Sequence, residues 1–157
     1  MVDLDQKDFA LLDALQQDAS KRLEDLAKLV QLAPSSVHDR LRRLQRGGLI
    51  QGWTIKVDAP ALGLGVLAFV AIATTRSCTE MWQDFHNIAG IEECHSVAGE
   101  FCVFLKVRVA GTAELLDLID QLKHVPGVER TETTIVLRTQ FERPAPLKPL
   151  GNGRNGR

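Results

Sequence analysis

The sequence lacks tyrosine, contains only three cysteines and has no apolar run long enough to cross a bilayer. Its longest nearly apolar stretch, residues 59–75, is interrupted by one proline and two glycines, whereas a membrane-spanning helix needs about 20 apolar residues. The N-terminus shows no basic segment followed by an apolar one, which is the pattern of a secretory leader. We therefore expect a cytoplasmic protein that has no membrane partner.

The three cysteines, Cys78, Cys94 and Cys102, are odd in number, and none lies in a C-x-x-C pair. This argues against a disulfide framework and a structural zinc site, so we expect reduced, mostly buried thiols. The four histidines form no i, i+4 metal pair, and neither G-x-S-x-G nor H-E-x-x-H occurs. The sequence thus predicts no catalytic residue, no metal and no cofactor.

The net charge of −1 conceals an uneven distribution of charge along the chain. Residues 58–137 contain 5 Lys and Arg against 11 Asp and Glu, which makes this middle block a poor candidate for binding a polyanion. Residues 34–46, in contrast, contain four arginines and one aspartate. Any contact with nucleic acid is therefore expected to be local to this short segment.

The first 47 residues show the apolar periodicity of three helices. Asp5 is expected to cap the first helix, and a second helix is expected at about residues 23–31. The third begins at Pro34, whose fixed φ suits a first turn, and ends at Gly47-Gly48. The apolar stripe predicted for the first helix consists of Phe9, Leu12, Leu15 and Ala19.

On a helical wheel the third helix separates into an apolar and a polar side. Val37, Leu41 and Leu44 fall together and are predicted to face the other two helices. Arg40 lies near the edge of the core, where its stem can pack while its head reaches water. The flanks carry Ser36 and His38, and the outward face carries Ser35, Asp39, Arg42, Arg43 and Arg46.

This layout suits the major groove of DNA. Small polar residues at the start of a helix can approach base edges, and arginines further along can reach phosphates or guanine. A solvated arginine-rich face is the ordinary alternative for such a run of charge. Residues 50–58 alternate roughly between polar and apolar and predict a small β-ribbon, which favours a winged helix-turn-helix. The predicted DNA-binding residues are Ser35, Ser36, His38, Asp39, Arg40, Arg42, Arg43, Arg46 and the ribbon residue Lys56.

The second half has the order β-α-β-β-α-β. The predicted strands are residues 66–75, 91–98, 101–109 and 128–141, and the predicted helices are residues 79–87 and 112–124. This order is typical of a ferredoxin-like sandwich, with one antiparallel sheet and two helices on one face. The fold class is therefore α+β. The expected divisions are a winged helix-turn-helix domain at 1–58, a linker at 59–65, a ferredoxin-like domain at 66–142 and a disordered tail at 143–157.

With both halves in order, residues 3–141 resemble the Lrp/AsnC family, the feast/famine transcriptional regulators. LDQKDFALLDALQQDAS resembles the opening segment of the family, and LAPSSVHDRLRRLQRGGLIQGWT resembles its recognition helix and wing. ECHSVAGEFCVFLKVRV resembles its central hairpin, and VPGVERTETTIVL its last turn and strand. Each piece alone is weak, but the four in this order are specific.

The resemblance implies a sequence-specific, non-enzymatic regulator of transcription that binds double-stranded DNA. Its second domain would bind an amino acid or related metabolite and would form homodimers that can assemble into octamers. The effector-binding positions that the resemblance implies are Gly99, Glu100, Phe101, Cys102, Thr131, Thr133 and Thr134. The family often reads G-[DN]-[FY]-D at the turn, and Cys102 here replaces the second acid. The effector could therefore differ, Glu100 could supply the contact, or the site could be vestigial.

Two other functions are compatible with parts of this pattern. The chain could be an architectural DNA-binding protein that has no sequence preference and no effector. A related two-domain architecture also serves enzymes that decarboxylate siroheme, whose catalytic loops carry His, Arg and Tyr, but this chain has no tyrosine. A dimer is expected independently of the resemblance, because two linked modules can read two half-sites with avidity.

Overall fold

The computed structural model describes residues 3–147, apart from the side chains of Cys78 and Thr79. These residues form two compact units: one contains the chain up to Lys56 together with residues 142–147, and the other is Val57–Phe141. The predicted α+β class, with a helix-turn-helix followed by a ferredoxin-like sandwich, is confirmed. From residue 148 onward, the predicted disordered tail lies outside the described residues.

The first unit contains three helices: α1 (Gln6–Gln17), α2 (Leu23–Val30) and α3 (Pro34–Arg46). Asp5 caps α1 as predicted, because its carboxylate accepts a hydrogen bond from the Asp8 N–H at 2.8 Å, and Asp8 reciprocates at 3.1 Å. Between α2 and α3 the chain turns at Gln31, which adopts the left-handed conformation at φ +53°. After α3 that conformation falls on Gly48, as the double glycine predicts.

The apolar side of α3 faces inward as the wheel predicts. Val37 and Leu44 are fully buried, and Leu41 packs against the core around each of them. The stripe predicted for α1 is partly wrong. Its buried face consists of Leu11, Leu12, Ala14 and Leu15, whereas Phe9 is half-buried and Ala19 is exposed beyond the end of the helix.

The predicted β-ribbon at residues 50–58 is wrong: residues 51–58, all of which the structure describes, contain no strand. A ribbon needs a reversal near its middle, but the turn-prone Gly52 lies near one end, so the segment cannot pair with itself. Trp53, Ile55 and Val57 are consequently exposed.

Residues 142–147 lie with the first unit. The Gln16 side chain donates a hydrogen bond to the Ala145 carbonyl at 3.2 Å. Leu147 packs against the small cluster formed by Leu12, Leu44 and Ile50. The segment therefore adds apolar cover to the side of α1 and α3 where this cluster lies.

The second unit begins with a 3-10 turn, Pro60–Leu62. Its strands are β1 (Val66–Thr74), β2 (Ile91–Ser96), β3 (Val103–Val109) and β4 (Val128–Ile135), and its helices are α4 (Cys78–His86) and α5 (Thr112–His124). The sheet is antiparallel with the order β2-β3-β1-β4, as the predicted sandwich requires.

Several predicted boundaries of the second unit are wrong. The last strand ends at Ile135 rather than at residue 141. The Val136 N–H still donates to the Leu67 carbonyl, but β1 begins at Val66 and offers no further partner beyond that point. The helix predicted at residues 79–87 is α4, which spans Cys78–His86 and follows Ser77. The two hairpin strands, β2 and β3, are shorter than predicted, so the turn between them comprises residues 97–102.

Both helices pack on one face of the sheet. The core between them includes the fully buried Phe85 and Met81 of α4, Leu105 of β3 and Leu122 of α5. The opposite face leaves Phe69 41% and Phe104 40% exposed. Cys94 is exposed and Cys102 half-buried, both as free thiols, so the expectation of buried cysteines is wrong for Cys94.

Replacing Leu44 by alanine should lower the free energy of unfolding of the first unit by about 2–5 kcal/mol, because a fully buried side chain leaves a cavity. Urea denaturation followed by circular dichroism measures this change. Leu29→Ala is the matched control, since Leu29 is 55% exposed on α2 and its loss should cost far less. Equal costs for the two variants would show that α3 does not pack through Leu44.

Candidate nucleic-acid interface and effector turn

The outward side of α3 carries an exposed row of polar and basic side chains. Its exposed members among the predicted DNA-binding residues are Ser35, Ser36, His38, Asp39, Arg42, Arg43 and Arg46. Within residues 3–147, the side chains of Arg42 and Arg46 form no ion pair and no hydrogen bond. No described side chain caps the N-terminus of α3, where the helix dipole favours an anion.

Arg43 does not point freely outward as predicted. Its Nη2 lies 2.6 Å from an oxygen of Asp8, and its Nη1 donates to the Asp3 carbonyl at 3.0 Å. A helical wheel shows only which side chains of α3 point away from the apolar core. It does not show that the N-terminal end of α1 lies against the flank of α3 that carries Arg43. The predicted free position of this guanidinium is therefore wrong.

Arg40 also contacts protein through its charged head, not only through its stem. Its Nη1 lies 2.6 Å from Asp5 and 3.0 Å from Asp8. The hydrogen bond from the Asp8 N–H lowers the pKa of the Asp5 carboxyl, and the Arg40 guanidinium lowers it further. The two carboxylates in turn raise the pKa of Arg40, with Asp5 the larger cause.

Lys56 was expected on a wing, but it lies in the segment that forms no strand. Its Nζ is 3.3 Å from the Glu142 carboxylate, and its side chain is largely exposed. His38 lies 3.9 Å from the neighbouring Asp39 carboxylate, at the limit of an ion pair. Both residues remain at the surface of the first unit, where an exposed ion pair holds a side chain only weakly.

In the second unit, the predicted effector residues at the hairpin lie in the turn 97–102. Cys102 anchors this turn: its N–H donates to the Ile72 carbonyl at 3.0 Å, and its carbonyl accepts from Val97 at 3.0 Å. The Cys102 thiol lies 2.9 Å from the Thr74 hydroxyl. The side chain that replaces the second acid of the family pattern thus hydrogen-bonds to the end of β1.

Glu100 and Phe101 are brought together by a residue that the sequence analysis did not single out. Arg130, on β4, forms an ion pair with Glu100, and its guanidinium lies 4.8 Å from the centre of the Phe101 ring. Phe101 packs edge-to-face on Phe104 at 6.4 Å. Gly99 has φ +154°, a conformation that other residues rarely adopt.

The three predicted threonines of β4 do not share one face. Thr131 pairs with Ile72 and Thr133 with Val70, so both point toward the side of the sheet that the helices cover. Thr134 pairs with Phe69 and points to the open side. Because successive residues of a strand alternate between faces, Thr134 shares the open side of the sheet with Phe104, on which Phe101 packs, whereas Thr131 and Thr133 lie on the other side.

Sequence reasoning missed three charged residues of these sites: Asp8, Asp5 as an arginine partner, and Arg130. Asp8 lies in the first turn of α1, and nothing in the local sequence links it to an arginine 35 positions away. Arg130 offered a faint signal, since it is one of few basic residues in the acidic middle block.

Among residues 3–147, apart from the undescribed side chains, no group of His, Cys, Asp and Glu could hold a metal ion. In the same part of the chain, every helix is too short or too polar to cross a membrane.

Two family models match the chain, one for each unit. Residues 4–45 match the AsnC-type helix-turn-helix domain, and residues 67–146 match the Lrp/AsnC ligand-binding domain. Both matches follow the order in which the sequence resemblance placed the two halves.

Individual relatives match over most of their length. The HTH-type transcriptional regulator FL11 of Pyrococcus horikoshii is 32% identical, covering 90% of this chain and 94% of the relative. The leucine-responsive regulatory protein of Escherichia coli K12 is 35% identical over 86% of this chain and 85% of its own. The feast or famine regulatory protein Rv3291c of M. tuberculosis, solved in complex with L-methionine, has a TM-score of 0.86 and 34% identity over 93% of this chain and 100% of that one.

Asp5→Asn should destabilise the first unit at neutral pH but not in acid. The folded-state pKa of Asp5 lies below its usual value of 3.8, so its charge contributes stability that is present above that pH and is lost as the pH falls through the folded pKa. Asparagine is an equally good cap, so the comparison isolates the charge. Thermal unfolding of both proteins from pH 7 to pH 2 measures it, and a gap in Tm that persists at the lowest pH would contradict the role of the charge.

Proposed function

The chain belongs to the Lrp/AsnC family of transcriptional regulators, and from this membership we propose that it binds double-stranded DNA through the outward side of α3. The observation that carries the proposal is the exposed row of Ser35, Asp39, Arg42 and Arg46, which lies opposite the buried Val37 and Leu44. The burial of the apolar side leaves this row as the side of the helix that can meet DNA, which supports the proposal. We assign no catalytic step to these residues, and we place the protein in the cytoplasm.

The arrangement along α3 suits entry into the major groove by its N-terminal end. Ser35 and Ser36 are small enough to bring the helix close to base edges, and the uncapped N–H groups beside them can meet a phosphate. Arg42 and Arg46 lie about two and three turns further along, where guanidiniums can reach the backbone that flanks the groove. His38 and Asp39 lie between these two sets and complete the proposed interface.

We further propose that the chain acts as a homodimer, which can assemble into larger rings. The support is the open face of the sheet, where Phe69 and Phe104 remain about two-fifths exposed with apolar Leu67 and Ala71 beside Phe69 on the same strand. Large apolar side chains that are exposed together mark an interaction surface. A dimer would present two helix-turn-helix units to two half-sites of one operator.

The third part of the proposal is an amino-acid effector at the turn 97–102. One solved relative carries L-methionine in its complex, and this chain offers Glu100 for an ammonium group and Arg130 for a carboxylate. Cys102 is engaged with Thr74 and offers no charge, so Glu100 is the acid that we assign to the effector. The threonines assigned to the site are then Thr131 and Thr133, together with Thr134 from the open face.

An architectural DNA-binding protein would share the basic surface but not the preference for one sequence. A regulator should bind its own site about 10³-fold or more tightly than a random duplex of equal length. Selection of bound genomic fragments, with and without an amino-acid mixture, supplies that site. Equal affinity for every duplex would favour the architectural function.

The double variant Arg42→Gln, Arg46→Gln should bind DNA more weakly and with a flatter dependence on salt. Each phosphate contact contributes about 0.9 to the slope of log K against log salt, so the loss should be about 1.8 for each bound module. Fluorescence anisotropy between 50 and 300 mM salt measures it. Lys123→Gln is the control, because Lys123 lies on α5 in the second unit and pairs with Asp120. An unchanged slope in the double variant would rule out this side of α3.

Gly99→Asp should weaken effector binding at least tenfold without changing the affinity for DNA in the absence of effector. An aspartate cannot easily adopt φ +154°, so the turn must shift, and a carboxylate is added beside Glu100. Titration calorimetry with the twenty amino acids, beginning with L-methionine, measures the change.

Gly65→Asp is the control for that experiment, because a Cβ at Gly65 would make only an ordinary contact with the Ala110 carbonyl, at 3.9 Å, and the backbone there is not in the left-handed region. Sedimentation velocity on all three proteins checks that assembly is unchanged. If no amino acid binds the wild type, the effector part of the proposal fails while the DNA-binding part is unaffected.

A further inference from the structure

Two of the four guanidiniums on α3 share one buried carboxylate. Asp8 is fully buried, yet both of its oxygens have partners. One oxygen accepts from Arg40 at 3.0 Å, and the other accepts from Arg43 at 2.6 Å and from the Asp5 N–H at 3.1 Å. The carboxylate therefore connects the first turn of α1 with the middle of α3.

We propose that Asp8 is a positioning residue for DNA binding that keeps Arg40 and Arg43 off the phosphate backbone and fixes the rotation of α3. The inference rests on the proposed DNA-binding function of that helix. It divides four arginines that look alike in the sequence into two pairs with different tasks. Arg42 and Arg46 bind phosphate, and Arg40 and Arg43 hold the helix in place.

The burial of Asp8 explains why the two arginines stay in place when DNA is near. A charged carboxylate removed from water needs charged partners, and removing one leaves an uncompensated charge inside the protein. A phosphate at the surface would have to draw a guanidinium away from that buried charge. Arg43 would also lose its second bond, to the Asp3 carbonyl.

The wheel shows how one carboxylate can select this pair. At about 100° per residue, Arg40 and Arg43 lie about 60° apart on the flank that faces the start of α1. Arg42 and Arg46 lie about 40° apart on the side opposite the core, in the direction of Ser35 and Asp39. Two bonds on one flank prevent α3 from rolling about its axis, so the second pair keeps a defined direction.

Keeping Arg40 and Arg43 away from the phosphates affects how strongly the protein prefers one DNA sequence over others. Phosphate contacts add affinity for any sequence, whereas base contacts add affinity for one. A module with four free arginines would gain sequence-independent affinity at the expense of its preference for one site. Asp8 therefore lowers the background of non-specific binding while it aligns the residues that face the bases.

The test compares adjacent arginines. Anisotropy titrations over 50–300 mM salt use the best genomic fragment from selection and a random duplex of equal length, below the melting temperature of every variant. Arg42→Gln should flatten the salt slope by about 0.9 for each bound module. Arg43→Gln should leave the slope unchanged but reduce the preference for the selected fragment about tenfold, and Arg43→Lys, which keeps a charge beside Asp8, should recover most of that preference.

Asp8→Ala supplies the complementary result. With the carboxylate gone, Arg43 loses its ion pair while Arg40 keeps Asp5, so the slope should steepen by about 0.9 for each module and the random duplex should bind more tightly. A role in folding alone would lower Tm without changing the slope or the preference. If Asp8→Ala does not fold, the Arg43 variants decide.

The outcomes separate the two proposals. If Arg43→Gln flattens the slope as much as Arg42→Gln does, Asp8 does not withhold Arg43 and the inference is overturned. An Arg43→Gln variant that keeps its full preference for the selected fragment overturns the positioning role. If neither Arg42→Gln nor Arg43→Gln changes DNA binding, the proposed interface on α3 itself is wrong.

Discussion

The buried carboxylate of Asp8 is the contact on which the geometry of the first unit depends. It completes the cap of α1 through the Asp5 N–H and receives two guanidiniums from α3, so one side chain satisfies groups from two helices. Apolar packing of Val37 and Leu44 decides which side of α3 is inside, but packing alone permits small rotations of a helix. Directional, charge-assisted bonds at the flank restrict those rotations. The exposed row of α3 thus has its direction set by one apolar and one ionic constraint.

A comparable arrangement holds the turn of the second unit. The Cys102 backbone and thiol attach it to the end of β1, and Glu100 attaches it to Arg130 on β4. The turn is therefore tied to two adjacent strands, and a ligand that displaced either contact would act on the end of the sheet. The departure at Cys102 has a physical counterpart, because the thiol exchanges a charge for a neutral hydrogen bond with Thr74. Glu100 remains as the acid of the turn, and it already has a cationic partner.

Much of the fold could be predicted because the relevant signals are local. Pro34 and the double glycine delimit α3, and the apolar spacing of α5 gives its bounds without error. Strand alternation was also available and would have separated Thr134 from Thr133. The partners of Arg40, Arg43 and Glu100 could not be predicted, since each lies 30 or more residues away and depends on how helices and strands meet. The prediction of a β-ribbon at residues 50–58 was wrong for a related reason, because strand pairing depends on two segments and cannot be read from one.

The return of residues 142–147 to the first unit means that this unit is not continuous in sequence. Leu147 covers apolar side chains of Leu12, Leu44 and Ile50, so a gene fragment that ends near residue 58 would encode the three helices without part of their cover. Recombination that exchanged only the coding segment for the three helices would combine the helices of one ancestor with residues 142–147 of another. Inheritance of this module therefore requires that the coding segment for residues 142–147 change together with the segment for the three helices.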